Sequence, residues 1–332
     1  MSTPKITVAL SVYNVAEYLY ECLECIINQS FKDIEILCID DQSTDDTYQI
    51  LEQCAAKDER FRLIRQSKNC GLSVSRNTAI AQAKGDYIWM IDGDDLFELD
   101  LLEKAYSTAI NNHADITIWD YCAFEKRSDL NKKSGFKTCL CGVDTTDYKR
   151  LLQLPSFMWI RLFKLDYLKQ LKVHFTPGLT KQDIPINWLT LTHKPKVAIV
   201  PEVLAYYRMR ATSTTNRKGK SLFSLYKVMD IVGENLKVDG LYEEYHDEYL
   251  ISRLELLQGM YDFIVPKLKD EAMSIVMDKC AESDVREFLI TKSYLLTKRT
   301  QLFYKMLNGN LFAEIQYKGL MGIRSIYRFI KK

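Results

Sequence analysis

A chain of 332 residues with only 13 glycines, 7 prolines and 4 histidines lacks the raw material of collagenous, low-complexity and disordered proteins, and those classes are excluded. It has no surplus of charge of either sign. Forty-five lysines and arginines stand against 44 aspartates and glutamates, a formal net charge of +1, so no global positive field exists to hold nucleic acid. No run of about 18 apolar residues occurs, and no basic leader precedes a clean apolar core, because Asn14 and Glu17 interrupt it. A soluble, cytoplasmic protein is expected. The nine cysteines are odd in number and form no disulfide-like framework. Cys22-x-x-Cys25 and Cys139-x-Cys141 are the close pairs, and the first falls in a helical pattern with no second ligand pair at zinc spacing. Buried thiols in a reducing compartment are the expected reading. His113, His174, His193 and His246 are isolated and form no triad with a serine or cysteine. Neither G-x-G-x-x-G nor G-x-x-x-x-G-K-S/T is present, which sets aside the dinucleotide and glycine-loop phosphate modes.

What is present is ordinary globular material, 47% hydrophobic and 27% charged, enough for about two domains. The first hundred residues alternate strand and helix. Ile6–Val12 is an apolar, β-branched run, and Asn14 with Glu17 three positions on predicts a capping box. Val15, Leu19, Cys22, Leu23 and Ile26 then recur at helical spacing. Ile34–Ile39 is the second apolar run and ends in Asp40-Asp41. Ser43 is expected to cap a helix whose inner face is Tyr48, Leu51 and Ala55. Phe61–Ile64 reads as a third strand, Asn69-Cys70-Gly71 as a turn, and Ser73 as the opening of a helix carrying Ala79, Ile80 and Ala83. Gly85 stops it, and Tyr87–Ile91 is a fourth strand ending in Asp92-Gly93-Asp94-Asp95. Beyond it, Leu101–Ile110 and Leu162–Leu171 read as helices, Ile116–Trp119 and Val197–Ile199 as strands, and 125–140 as a charged excursion. From Ser221 onward nearly everything has helical period, and the polar stretch Asn216-Arg217-Lys218-Gly219-Lys220 suggests a boundary near 215.

Strands apolar on both faces and separated by helices belong to a parallel sheet covered on both sides. Such sheets bind ligands outside the carboxyl ends of their strands. Tyr13-Asn14, Asp40-Asp41 and the Asp92–Asp95 cluster all follow strands, so they are expected to converge on one rim. Three carboxylates in four residues repel one another unless a cation sits among them, and Mg²⁺ or Mn²⁺ commonly bridges carboxylates to substrate phosphates. A solvated turn with Asp95 as a helix cap is the bland alternative. A phosphate held this way, with no glycine loop, suggests a nucleoside diphosphate as leaving group.

At this point the motifs resemble those of a glycosyltransferase of family 2 with the GT-A fold. The matching pieces are Ser11-Val12-Tyr13-Asn14, Ile39-Asp40-Asp41-Gln42-Ser43-Thr44-Asp45, Asn69-x-Gly71-x-Ser73-x-Ser75-Arg76-Asn77 and Gly85-Asp86-Tyr87-x-x-x-Ile91-Asp92-Gly93-Asp94-Asp95. Trp159-x-x-Leu162-Phe163 and Tyr206-Tyr207-Arg208-x-Arg210-x-x-Ser213 resemble the family's acceptor-half motifs. The resemblance covers about 1–215. It implies a mostly parallel α/β sheet flanked by helices, with a nucleotide-sugar-binding half (1–115), an acceptor-binding half (116–215) and a helical C-terminal region (216–332). It further implies an inverting transfer from a nucleotide-diphosphate sugar, a UDP-sugar first, to a glycan or lipid-linked acceptor in surface-polysaccharide or lipopolysaccharide-type synthesis.

The same resemblance implies roles for single residues. Ser11 and Tyr13 lie in the segment lining the base, and Asp41 receives the base imide N–H. Arg76 stands behind the diphosphate. Asp94 is the more direct Mn²⁺ or Mg²⁺ ligand, with Asp92 beside it. Arg208 and Arg210 close over the pyrophosphate, for which guanidinium forks are suited. Trp159 and Gln182 belong to the acceptor side. Asp183 is the general base, and Gln182 stands where the family usually carries Glu, which removes a nearby negative charge and weakens that base. Ser11 replaces a family proline. Other readings stay open: Asp41 as a helix cap, Trp159 as a core aromatic, and Asp183 as an N-cap before Ile184–Leu191. A silent or weak sugar-nucleotide-binding protein and a nucleotidyltransferase of related fold are the alternative functions. A sugar-nucleotide pyrophosphorylase needs a Gly-rich loop that Ser11–Ala16 does not provide, and an aspartate-nucleophile phosphatase places its acidic motif after the first strand.

Residues 317–332 carry Lys318, Arg324, Arg328, Lys331 and Lys332 and no acid, while Leu320, Met321, Ile323, Ile326, Tyr327 and Ile330 make an apolar stripe at helical spacing. Two readings follow: a peripheral membrane element, or a packing helix with a solvated basic face.

Overall fold

The computed structural model describes residues 3–132, 140–210 and 218–330, with the side chains of 322–330 left aside. Cys139, Ser213, Asn216, Arg217, Lys331 and Lys332 lie outside the described residues. The chain divides into two compact units, Met1–Asn216 and Arg217–Lys332.

In the first unit the strands are β1 (Ile6–Val12), β2 (Ile34–Asp40), β3 (Phe61–Arg65), β4 (Tyr87–Asp92), β5 (Leu96–Phe97), β6 (Ile116–Phe124), β7 (Arg161–Lys164) and β8 (Val197–Arg208). They form one sheet in the order β3-β2-β1-β4-β7-β6-β8-β5. β1 pairs in parallel with both β2 and β4, and β2 with β3. β7 runs antiparallel to β4 and β6, β8 runs parallel to β6, and β5 is antiparallel to β8. The helices are α1 (Ala16–Ile27), α2 (Thr47–Ala55), α3 (Leu72–Gln82), α4 (Leu101–Asn111), α5 (Tyr148–Leu151), α6 (Leu165–Gln170) and α7 (Asp183–Thr192). Every residue of β1 and β2 is buried, as a sheet covered on both faces requires. Leu19, Cys22, Leu23 and Ile26 of α1 and Leu101, Leu102 and Ala105 of α4 pack into the same core as Val8, Leu10, Ile36 and Trp89.

Several boundaries differ from those the sequence suggests. α1 has no capping box: Asn14 lies in the left-handed region (φ 50°), and the helix follows Val15 without a side-chain cap. Its free N–H groups are met by the next loop instead. Asn14 N donates to Ser43 Oγ (3.1 Å), Val15 N to Thr47 Oγ1 (2.9 Å) and Ala16 N to Asp45 Oδ2 (3.1 Å). Ser43 therefore holds the residue before the N-cap of α1 and does not cap α2, which begins at Thr47 and buries Thr47 and Leu51. Residues 162–164 are strand, not the start of a helix. Leu162 and Phe163 are wholly buried between β4 and β6, and that tertiary burial overrides a helical spacing.

The second unit is helical: α8 (Ser224–Val238), α9 (Tyr242–Phe263), α10 (Lys269–Cys280), α11 (Ser283–Thr291), α12 (Lys298–Leu307) and α13 (Leu311–Ile330). Its interior holds two charged hubs. Arg253 binds Glu282 at 2.6 Å and Asp230 at 3.0 Å. Asp262 is ion-paired with Arg299 and accepts from Gln258 Nε2 at 2.8 Å and from the Tyr317 hydroxyl. Among the described residues no helix is long and apolar enough to cross a membrane.

Candidate functional site

β1 lies between two parallel neighbours, so the ends of β2, β1 and β4 meet at the position where such sheets hold ligands. Register places Ser11 level with Ile39 and Asp92, and Val12 level with Asp40. The residues that follow these strands share a rim. Tyr13 stands 45% exposed at the end of β1. Asp41 is buried, and its two oxygens accept from the N–H groups of Cys70 (2.8 Å) and Gly71 (2.7 Å), tying the end of β2 to the start of α3. Gly71 has φ 86°, a conformation glycine adopts without strain. Asp40, also buried, holds Ser43 N at 3.2 Å and Arg65 at 3.2 Å.

The acidic turn after β4 is pressed onto β1 and α1. A Cβ at Gly93 would lie 2.9 Å from Val12 and 3.1 Å from Val15, so only glycine lets the turn lie there. The cations come from remote chain. Arg76 of α3, 2% exposed, binds Asp92 at 3.2 Å with one amino group and is ion-paired with Asp183 through the other, 107 residues away. Arg210 is ion-paired with Asp94. Arg208 donates its backbone N–H to Asp95 Oδ1 (2.9 Å), its Nε to the Asp94 carbonyl (2.9 Å) and an amino group to Glu21 of α1 (2.6 Å). Its guanidinium lies over Phe124 and Tyr18, at 4.7 and 5.0 Å from the ring centroids, and that of Arg210 lies 5.1 Å over Tyr18. The arginine expected to close over a diphosphate is thus anchored on every side in this state.

The electrostatics follow from this crowding. Burial first, with Asp94 and Asp183 adding repulsion and Arg76 opposing, pushes the Asp92 carboxyl up to about 6. Burial raises Asp94 against the pull of Arg210. Burial and the charges of Asp94 and Asp92 push Asp95 well above the usual carboxylate range, and its Oδ2 is buried without a hydrogen-bond partner. Burial is the leading cause at all three acids, so these carboxylates are poorly solvated even with arginines beside them. Among the described residues no three carboxylate, histidine or cysteine side chains converge into a cage. The donor set nevertheless fits a hard divalent cation held by one or two carboxylates and completed by substrate phosphate. Asp94 and Asp92 are the residues that would hold it.

On the acceptor side, Asp183 is the first residue of α7, 17% exposed at its side chain. Gln182 is buried, and its Oε1 accepts from the Ser73 hydroxyl, which also reaches the Thr176 carbonyl at 2.8 Å. Gln182 thereby fixes the start of α7 against α3 and is enclosed rather than open to an acceptor. Trp159, expected against the acceptor, is in the core at 2% exposure. Its ring stacks on Phe157 (5.1 Å, 9°) and Tyr207 (5.8 Å, 6°), and Tyr121 meets it edge-on (5.1 Å). Phe157, Tyr207 and Tyr121 are themselves half-buried, so the cluster's partly exposed rings are theirs and not that of Trp159. Arg161 staples this segment, donating to the carbonyls of Pro155 (2.9 Å) and Phe157 (3.1 Å), and burial lowers it to about 10 while the Asp183 charge opposes. Sequence reasoning did not single out Tyr18, Glu21 or Arg161, and it read Ser73 as a helix opener and motif residue rather than as the partner of Gln182. Tyr18 and Glu21 carry one signal, their i, i+3 spacing on the face of α1 away from its buried leucines.

This sheet, with its carboxylates and arginines at the switch point, is that of a nucleotide-sugar-transferase architecture. S. aureus TarS, residues 1–349, solved in complex with UDP-GlcNAc, has the same fold at a TM-score of 0.60 and 16% identity, over 91% of this chain and 92% of that one. Residues 7–168 match the model of glycosyl transferase family 2. Glycosyltransferase GlyG of Streptococcus pneumoniae is 34% identical over 245 residues, 68% of this chain and 77% of GlyG. Glycosyltransferase GlyA of the same organism is 31% identical over 224 residues, 63% of this chain, which spans only 31% of GlyA's length. The chain belongs to glycosyltransferase family 2.

Proposed function

We propose that the chain is an inverting glycosyltransferase, cytoplasmic, that moves a sugar from a nucleotide-diphosphate donor, a UDP-sugar first, to a hydroxyl of a glycan or lipid-linked glycan. The observation that carries this reading is the Arg76 bridge, which holds Asp183 and Asp92 on one guanidinium. The bridge puts Asp183, which this reading takes as the general base, beside the acidic turn at the strand ends, where the leaving diphosphate would lie.

In this reading residues 1–115 take the nucleotide, Tyr13 and Ser11 beside the base, with Asp41 offering its remaining lone pairs to the imide N–H. Residues 116–215 take the acceptor, with Phe157 and Tyr207 as its aromatic wall. Asp183 accepts the hydroxyl proton as the acceptor oxygen bonds to the anomeric carbon, and the bond to the diphosphate breaks on the opposite face. Mn²⁺ or Mg²⁺ held by Asp94 with Asp92 would supply Lewis-acid neutralisation of the leaving diphosphate. Arg210 and Arg208 add preorganised positive charge at the same rim.

The test is nucleotide release from a panel of UDP- and GDP-sugars with glycan acceptors, with and without Mn²⁺. Asp183→Asn is expected to lower turnover by at least about a hundredfold while UDP affinity, read by calorimetry, stays unchanged. Turnover near that of the parent protein would place the base elsewhere, and nucleotide binding without release would favour a silent binding protein.

A further inference from the structure

The first half of α13 is turned the opposite way from an ordinary surface helix. Ala313 (3% exposed) and Tyr317 (4%) hold it to the second unit, and the Tyr317 hydroxyl reaches Asp262 and Gln258. Its large apolar side chains face solvent instead: Leu311 and Phe312 are each 69% exposed and Ile315 is 61% exposed. Solvated helix faces are normally polar, and adjacent bare apolar side chains of this size mark a contact surface rather than scatter.

The sequence extends the pattern. At 3.6 residues per turn, Leu311, Ile315, Gly319, Gly322 and Ile326 fall in one stripe, with Phe312, Ile323 and Ile330 beside it. No charged residue of the helix falls in that sector. Glu314, the helix's one acid, is ion-paired with Lys318, whose side chain is 71% exposed. From residue 317 onward there are five basic residues and no acid. A second copy on this face would bring two such basic segments together, and their repulsion opposes it. An anionic surface satisfies both the apolar stripe and the excess charge.

We propose that α13 is the membrane-docking element of this protein. Leu311, Phe312 and Ile315 enter the interfacial layer of an anionic bilayer, Lys318 stands at the edge of that face, and the net positive charge of 317–332 supplies the longer-range attraction. A helix is about 10 Å across and the Debye length is about 8–10 Å at moderate salt, so bases elsewhere on its circumference still feel the surface, more weakly than bases beside it. The inference goes beyond the transfer reaction and stands without it.

Flotation of the full chain with vesicles tests it. The protein is expected to float with phosphatidylcholine vesicles containing phosphatidylglycerol at low salt, to release at high salt, and to ignore phosphatidylcholine alone. The combined variant Leu311→Ser, Phe312→Ser, Ile315→Ser alters only exposed positions, so circular dichroism and the thermal transition should match the parent while flotation is lost. Replacing Arg324 and Arg328 by Gln should weaken vesicle binding by about threefold to tenfold, less than the roughly 1 kcal/mol per basic residue found right at the surface, because a helix diameter separates them from it. A full chain that ignores anionic vesicles at low salt overturns the proposal. So does a serine variant that floats like its parent, or equal binding to neutral vesicles. Self-association of the parent that the serine variant abolishes, without flotation, assigns the face to a second copy and also overturns it.

Discussion

Arg76 carries an unusual share of this site. A buried cation with two carboxylate partners is costly to leave half-paired, because the surviving charge has no water to turn to. Removing Asp92 or Asp183 therefore does two things: it deletes a functional carboxylate and it leaves Arg76 short of a partner. The effects of Asp92→Asn and Asp183→Asn on thermal stability are expected to be non-additive, with a coupling of about 1–2 kcal/mol in a double-mutant cycle. Strict additivity would show that the bridge carries no energy. Arg76→Lys keeps the charge but loses the fork that spans both acids, so it should reproduce most of the loss seen on removing either acid.

At the scale of elements, the joints between secondary structures carry predictions of their own. Asp58 and Arg60 clamp the turn between α2 and β3 at 2.6 Å, and Arg60 also donates to the Ile27 carbonyl at the end of α1 at 3.0 Å. The Arg60 hydrogen bonds hold the Asp58 carboxyl below its ordinary value, against the effect of burial. A depressed folded value means that the clamp's stability is present above the unfolded value near pH 4 and is lost as pH falls through the folded one. Asp58→Asn should lower stability by about 1–2 kcal/mol at neutral pH and flatten that part of the acid limb in denaturant titrations; an unchanged acid limb would deny the clamp this role. Gly85 sits where a Cβ would lie 2.5 Å from Thr7 N and 2.8 Å from the Tyr87 carbonyl. Since those are backbone atoms that cannot step aside, Gly85→Ala should lower stability by about 1–3 kcal/mol or more, read by thermal unfolding. Elements such as β1, β2 and β4 were legible because their apolar runs are bounded and their interiors carry no competing signal. The bracing at the start of α1 was not, since Ser43 and Asp45 lie in the loop before α2 and Thr47 opens α2, and only the fold brings them to that helix. Gln182 could be read as a departure from a motif, but its bond to Ser73 depends on how α7 meets α3. Arg76, Arg208 and Arg210 were named through the family resemblance, but their grip on the acidic turn was not legible: local sequence around Asp92–Asp95 contains no base, and the partners arrive from α3 and from the end of β8.

For the whole molecule, the four nucleotide-side motifs end by Asp95, yet the site they suggest is not finished there. β5 follows the acidic turn directly and, among the described residues, pairs with β8 alone, and Arg208 grips the turn from 114 residues further along. A chain ending at residue 196 contains every one of those motifs and Asp183 but lacks β8, and it is expected to show no UDP binding in calorimetry with Mn²⁺. A chain ending at residue 216, which retains β8 and the whole first unit, is expected to bind UDP; tight binding by the shorter chain would overturn this dependence. The topology also sets an order in time. Closing so long a loop is slow compared with forming the local helices, and during synthesis β8 emerges after everything it must clamp. A growing chain therefore displays its acidic turn for the span of more than a hundred added residues before Arg208 can reach it, and that grip forms in a single late step.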